Sequence, residues 1–232
     1  MDNKYKYPSD EEAKKIIIEI GKRIYFKNFV AANDGNISCK VSDDTLWTTP
    51  TGVSKGFMDE KMLIKTDISG KILESKGYEP SSELKMHLRI YLENSEAKAV
   101  VHAHPPIATS FAIAGLSLDE PFLPEAIVQL GVVPCLPFAM PGTDEVPESL
   151  APYCNEYNAV LLGNHGAVTW GTSIMQAYMR MEVLEYYANI IMNNKYIIRK
   201  ANKLRESEIE HLVEIRTRMG VTSGGYPKSD ER

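Results

Sequence analysis

His102 and His104 stand two residues apart in the run Val100-Val101-His102-Ala103-His104-Pro105-Pro106. The β-branched pair favours a strand and the prolines cannot continue one, so both imidazoles belong at a strand's end. Residues two apart on a strand share a face, and the two rings point to one spot. Imidazole is the commonest metal ligand, and two on a rigid strand lose little freedom in closing on a cation. An idle strand face fits the same pair, so further ligands must decide. His165 is a candidate third, held in Gly163-Asn164-His165-Gly166 between two apolar runs with little bulk beside it; an ordinary turn is the alternative.

Glu83 follows Ser81 and Ser82 at the expected start of a helix. Free N–H groups and a partial positive charge there suit a phosphate, with the two hydroxyls as further donors. From the residues alone, Ser82 as a simple N-cap and Glu83 as a partner of the helix dipole is the favoured reading. The turn-rich segments around Gly35-Asn36 and Pro50-Thr51-Gly52 can expose backbone N–H groups to an anion, or be turns and nothing more.

These residues need a scaffold, and the periodicity supplies one. Ser9 and Glu12 form a capping box before a helix with Ala13, Ile16, Ile17, Ile20 and Ile24 on one stripe, running to about Val30. Residues 37–41 and 46–49 alternate as a hairpin, and residues 62–68 and 71–74 as a second one. Leu84, Leu88 and Tyr91 share the face of the next helix, where His87 reads as a buried, hydrogen-bonded histidine. Pro106 opens a helix that Gly115 ends, and Glu125 stands out in the apolar stretch 121–128. Residues 132–140 read as a strand, Thr143 opens a helix towards Tyr153, and Ser173 with Gln176 caps a long helix whose stripe is Ala177, Met181, Leu184, Ala188 and Ile191. Ser207 and Glu210 cap a last helix, and the Gly- and charge-rich tail 221–232 is expected to be mobile. The mixture predicts a single-domain α/β sandwich, residues 1–232, with a largely antiparallel sheet.

With 232 residues, 44% of them apolar and 25% charged, the chain can bury one sizeable core. A net charge of -5 argues against nucleic acid or an anionic membrane as the main partner, and leaves room for a phosphorylated substrate in a local pocket. Cys39, Cys135 and Cys154 lack metal-site or disulfide spacing and read as reduced thiols. No apolar run approaches membrane-spanning length, so a cytoplasmic protein is expected. Walker loops, dinucleotide fingerprints and serine elbows are missing.

Four motifs occur in one order: Asp34-Gly35-Asn36-Ile37-Ser38, Thr49-Pro50-Thr51-Gly52, Ser81-Ser82-Glu83, and Val101-His102-Ala103-His104 with Gly163-Asn164-His165-Gly166. Together they resemble the class II aldolase/adducin family, nearest its fuculose-1-phosphate aldolase branch. The resemblance implies a three-layer α/β/α subunit with a central, mostly antiparallel mixed sheet, in a homotetramer with active sites at subunit interfaces. It implies one Zn(2+) per subunit on His102, His104, His165 and Glu83, with Glu83 also moving the proton. It places a substrate phosphate at Gly35, Asn36, Thr51, Gly52, Ser81 and Ser82. The implied reaction is reversible cleavage of a ketose 1-phosphate to dihydroxyacetone phosphate and an aldehyde such as lactaldehyde. Epimerase, decarboxylase and non-catalytic adducin-like relatives share the scaffold; the epimerase branch carries aspartate at the position of Glu83. Where the fuculose branch has tyrosines as auxiliary acids, this chain offers Glu125 or Tyr226.

Overall fold

The structure is a computed structural model, and it describes residues 7–227. Eight strands form one sheet: β1 (Asn36–Lys40), β2 (Thr45–Thr48), β3 (Ile64–Asp67), β4 (Ile72–Glu74), β5 (Ala99–Ala103), β6 (Cys135–Leu136), β7 (Ala159–Leu162) and β8 (Gly166–Gly171). Their order across the sheet is β4-β3-β2-β1-β5-β8-β7-β6. Every pairing is antiparallel except β6 with β7. Seven α-helices accompany it: α1 (Asp10–Phe26), α2 (Leu84–Glu93), α3 (Pro106–Ala114), α4 (Pro124–Gln129), α5 (Glu145–Leu150), α6 (Ile174–Met192) and α7 (Glu206–Arg218). None of the described helices is long and apolar enough to cross a membrane.

The period of two along each strand divides the core into two layers. Ile37, Cys39, Ala99, Val101, Ala103 and Ala167 pack against α1, α3 and α6. Val100, Val160, Val168 and Trp170 face α2 and α5 instead. His102 and Ser38 have the parity of Val100, so they point to the α2 side. The expected three-layer α/β/α arrangement is therefore present, and the sheet face carrying His102 is the one on which Glu83 and α2 lie.

The Ser9 box forms as expected: Ser9 Oγ accepts from the Glu12 N–H at 3.3 Å and Glu12 Oε2 from the Ser9 N–H at 2.8 Å. Elsewhere the structure corrects the periodicity. The first helix stops at Phe26, because Asn28 turns into the left-handed region. Ser82 is not the cap of α2; Glu83 holds the N-cap position, and Ser81 Oγ accepts the Glu83 N–H at 3.3 Å. The strand expected over 132–140 shrinks to β6, which has only β7 as a strand partner. Glu125 lies in the first turn of α4. The last helix begins a residue before Ser207, with Glu208 accepting the Arg205 N–H at 2.8 Å.

The tail is held rather than loose as far as it is described. Gly224 O accepts the Val132 N–H at 2.7 Å, the Gly224 N–H donates to Glu156 O at 2.7 Å, and Arg216 reaches Gly225 O at 2.7 Å. The expectation for residues 228–232 lies outside the described residues.

Candidate metal centre

β5 is paired along its length with β1 and β8, with His102 opposite Asn36 on one side and Val168 on the other. This places His102 in the middle of the sheet, where it is fully buried. Its Nδ1–H donates to Ala167 O at 2.9 Å; a carbonyl only accepts, so the lone pair sits on Nε2. Burial, and then the neighbouring His104 and His165 rings, hold its pKa well below the ordinary value, so His102 is neutral.

His104 follows where the strand ends, its N–H held by Phe29 O at 2.8 Å. Its Nε2 lies 3.1 Å from His102 Nε2, and its Nδ1 lies 3.5 Å from Asp34 Oδ2. His165 arrives from the turn between β7 and β8, closed by its N–H to Leu162 O at 3.0 Å with Asn164 in the left-handed region. Gly166 is required by this packing: a Cβ there would come within 2.5 Å of the His104 ring. The three ring centroids stand 4.8, 4.9 and 5.0 Å apart. All three ligand nitrogens lie within 4.8 Å of one another, which is a geometry able to hold a metal ion. Burial pushes the His165 pKa down, against the pull of Glu83.

Glu83 completes the group. Its Oε2 lies 3.4 Å from His102 Nε2 and its Oε1 3.2 Å from His165 Nε2. Asn36 Nδ2 donates to Oε2 at 2.8 Å, and Oε1 is buried without a hydrogen-bond donor. A buried carboxylate oxygen left without a donor beside imidazole nitrogens suits a cation. The donor set of three nitrogens and one carboxylate fits zinc and accepts manganese or cobalt as well.

The turn-rich segments come together beside it. Pro50 bridges to Pro80, the Thr51 N–H donates to Glu79 O at 2.9 Å, and Asn36 Nδ2 donates to Ser81 Oγ at 3.3 Å. Thr51, Gly52 and Ser82 are exposed, whereas Asn36 is buried with its amide given to Glu83 and Ser81. Gly35 and Gly52 both take positive φ, 74° and 70°. Glu125 and Tyr226 are not brought to this group. Glu125 lines a cavity of about 580 Å³ with Met175, Met179 and Met219, and Tyr226 donates to Glu206 at 2.8 Å.

Three side chains to which the sequence assigned no role, Asp34 of the first motif among them, support the centre. Asp34 faces His104. Lys55, 1% exposed, donates to Asn33 O at 2.9 Å and Val53 O at 2.6 Å, joining the loop of Asp34 to that of Thr51; burial lowers its pKa to about 8. Glu185 of α6 accepts the Ile107 and Ala108 N–H groups of α3 at 2.9 and 2.8 Å.

Residues 15–192 match the family model described as Class II Aldolase and Adducin N-terminal domain. The chain belongs to the class II aldolase and adducin family. Among relatives of this class II aldolase/adducin domain, the L-fuculose phosphate aldolase of Methanococcus vannielii is 37% identical over 176 residues, 76% of this chain and 93% of that one. The 3-oxo-tetronate 4-phosphate decarboxylase of Pectobacterium atrosepticum is 34% identical over 187 residues, 79% of this chain and 85% of that one. A solved L-fuculose 1-phosphate aldolase superposes with a TM-score of 0.82 at 27% identity, covering 93% of this class II domain and all of its own chain.

Proposed function

We propose that this protein is a zinc-dependent lyase that reversibly cleaves a ketose 1-phosphate to dihydroxyacetone phosphate and an aldehyde such as lactaldehyde. The observation that carries the reading is the convergence of His102, His104 and His165 on one another, beside a Glu83 carboxylate whose Oε1 is buried without a donor. One cation per subunit held by these four residues supplies Lewis-acid stabilisation of the negative charge that develops on the substrate oxygens. Coordinating imidazoles are neutral ligands, so the three histidines would leave the cation's own charge undiminished once Glu83 is displaced.

The remaining work falls to the chain. Thr51, Gly52, Ser81 and Ser82, with the Gly35 backbone, anchor the phosphate and so hold the reacting carbons at the histidines. Asn36, opposite His102, orients the Glu83 carboxylate. In cleavage the C4 hydroxyl gives up its proton, the C3–C4 bond breaks, and the bonding pair stays on C3 in conjugation with the C2 carbonyl. Glu83 then delivers a proton to C3, completing dihydroxyacetone phosphate. The group that takes the C4 hydroxyl proton in cleavage, and returns it as an acid to the aldehyde oxygen in the reverse reaction, comes from a neighbouring subunit of a homotetramer and is Glu125 or Tyr226. Glu125 lines a cavity with Met219 and is within the apolar stretch where the chain departs from the fuculose branch.

A second reading is favoured by the decarboxylase relative, whose identity to this chain is close to that of the aldolase. Loss of carbon dioxide from a 3-oxo-tetronate 4-phosphate leaves the same three-carbon enediolate, so both reactions use the same residues. Proton NMR of dihydroxyacetone phosphate in deuterated water tests what they share. Exchange of one hydroxymethylene proton is expected, and it should be abolished by a chelator and by Glu83→Gln. Cleavage of L-fuculose 1-phosphate against 3-oxo-tetronate 4-phosphate then separates the two. No exchange in zinc-loaded protein points to an epimerase on the same scaffold, and failure to take up zinc points to an adducin-like scaffold protein.

A further inference from the structure

His87 is fully buried one helical turn after Glu83, and nothing above uses it. Ser38 Oγ lies 2.7 Å from His87 Nδ1 and 2.7 Å from Tyr91 Oη. The Ser38 hydroxyl has one proton, so it donates to one of them and accepts from the other. Among the described residues Ser38 Oγ is the acceptor recorded within reach of the Tyr91 hydroxyl. Tyr91 therefore donates to Ser38, and Ser38 donates to His87 Nδ1. A neutral ring that accepts at Nδ1 carries its proton on Nε2.

That Nε2–H is buried and has no acceptor. An unsatisfied buried donor at a functional centre calls for an account. Glu83 Oε1 is likewise buried and without a donor. Residues four apart at a helix start face the same way. The structure thus holds an orphan donor and an orphan acceptor on one face of α2, with Glu83 turned towards the histidines.

We propose that His87 is a positioning residue for Glu83: its Nε2–H offers the carboxylate a second seat, taken when a ligand displaces Glu83 from the three histidines. The Tyr91–Ser38 relay exists to keep the proton on Nε2. This rests on the role given to Glu83 above and extends it, because a proton carrier needs two defined positions and not merely one.

The test has two arms, both on the full chain. In protein labelled with nitrogen-15 histidine, the His87 resonances are assigned by their loss in His87→Gln. A neutral ring protonated on Nε2 at neutral pH is expected, and a proton on Nδ1 overturns the proposal whatever the activity. In the second arm, proton exchange of dihydroxyacetone phosphate is followed in zinc-loaded variants. His87→Met should lower kcat about tenfold or more with KM and zinc content unchanged, and His87→Gln, whose amide can donate from the place of Nε2, should recover most of the loss. Equal rates in His87→Met and the parent, or equal losses in both variants with a raised KM, overturn it. Should His87→Met fail to fold, Ser38→Ala keeps the ring, frees its tautomer and carries the same comparison. A parent that exchanges no proton defeats the enediolate reading, and the nitrogen-15 arm still decides the place of the His87 proton.

Discussion

Glu185 is the side chain through which α6 controls the entry to α3, directly after His104. Pro105 is the N-cap of α3 and brings no side-chain acceptor, and Pro106 has no N–H, so the first donors left over are those of Ile107 and Ala108. Glu185 accepts both, one on each carboxylate oxygen, at 2.9 and 2.8 Å. Removing it in Glu185→Ala deletes two charge-assisted hydrogen bonds and a negative charge at a helix N-terminus. At about 1.5 kcal/mol per bond, less what water regains at this half-buried place, the loss is about 2 kcal/mol. For a 232-residue chain with an unfolding entropy of about 2.1 cal/mol/K per residue, this lowers Tm by about 4 °C. Glu185→Gln keeps one acceptor and should lose about half as much. The assay is thermal unfolding of chelator-treated protein, so that metal binding does not mask the change. An alanine variant melting within about 1 °C of the parent refutes the reasoning, since it would mean that water caps this helix equally well.

Asn36→Ala removes the donor that orients Glu83, and zinc affinity, read by competition with a chromophoric chelator, should fall about tenfold or more. His87, pushed down to about 3 chiefly by burial, is neutral when folded and takes up a proton when unfolded below about pH 6.5. The unfolded state then binds more protons, so stability falls as pH drops through that window. The contribution of His87 should be about 3 kcal/mol at pH 4, visible as a urea midpoint that falls less steeply with acid in His87→Gln. Gly131 takes φ of 76°, and a Cβ there would overlap the Gly224 carbonyl. Gly131→Ala should therefore cost about 2–4 kcal/mol in urea unfolding and open the segment after Arg218 to proteolysis.

The residues that could be read in advance were those whose signal is local. The spacing of two in His102-x-His104, the small turn around His165 and the Ser9 box depend on neighbours in sequence, and the structure shows the geometry each implies. Ser82 misled because a serine before a helix is the usual cap, whereas the chain here spends Ser81 on the Glu83 N–H and puts Glu83 at the boundary. β6 is short because a strand with one partner gains little from extending, whatever its β propensity. Glu185 and Lys55 could not be seen at all: each satisfies backbone groups through contacts that only the folded chain creates, 77 residues away for Glu185 and Ala108. His87 was legible as a buried histidine, but its Ser38 partner lies 49 residues earlier.

The placement of β5 bears on how the centre behaves in time. With a strand on either side from Ala99 to His102, β5 can expose its amides to solvent only when β1 or β8 peels away, so its hydrogen exchange should be among the slowest in the chain. His102 rides on that strand, His165 on the turn joining the strand beside it to the next, and Asn36 on the strand opposite. The ligands are thus recruited from several segments, and His165 joins His102 only after a loop of more than fifty residues has closed. A cation that needs all of them has nothing to bind in a partly folded chain, and its uptake rate would serve as a clock for closure of the sheet's centre.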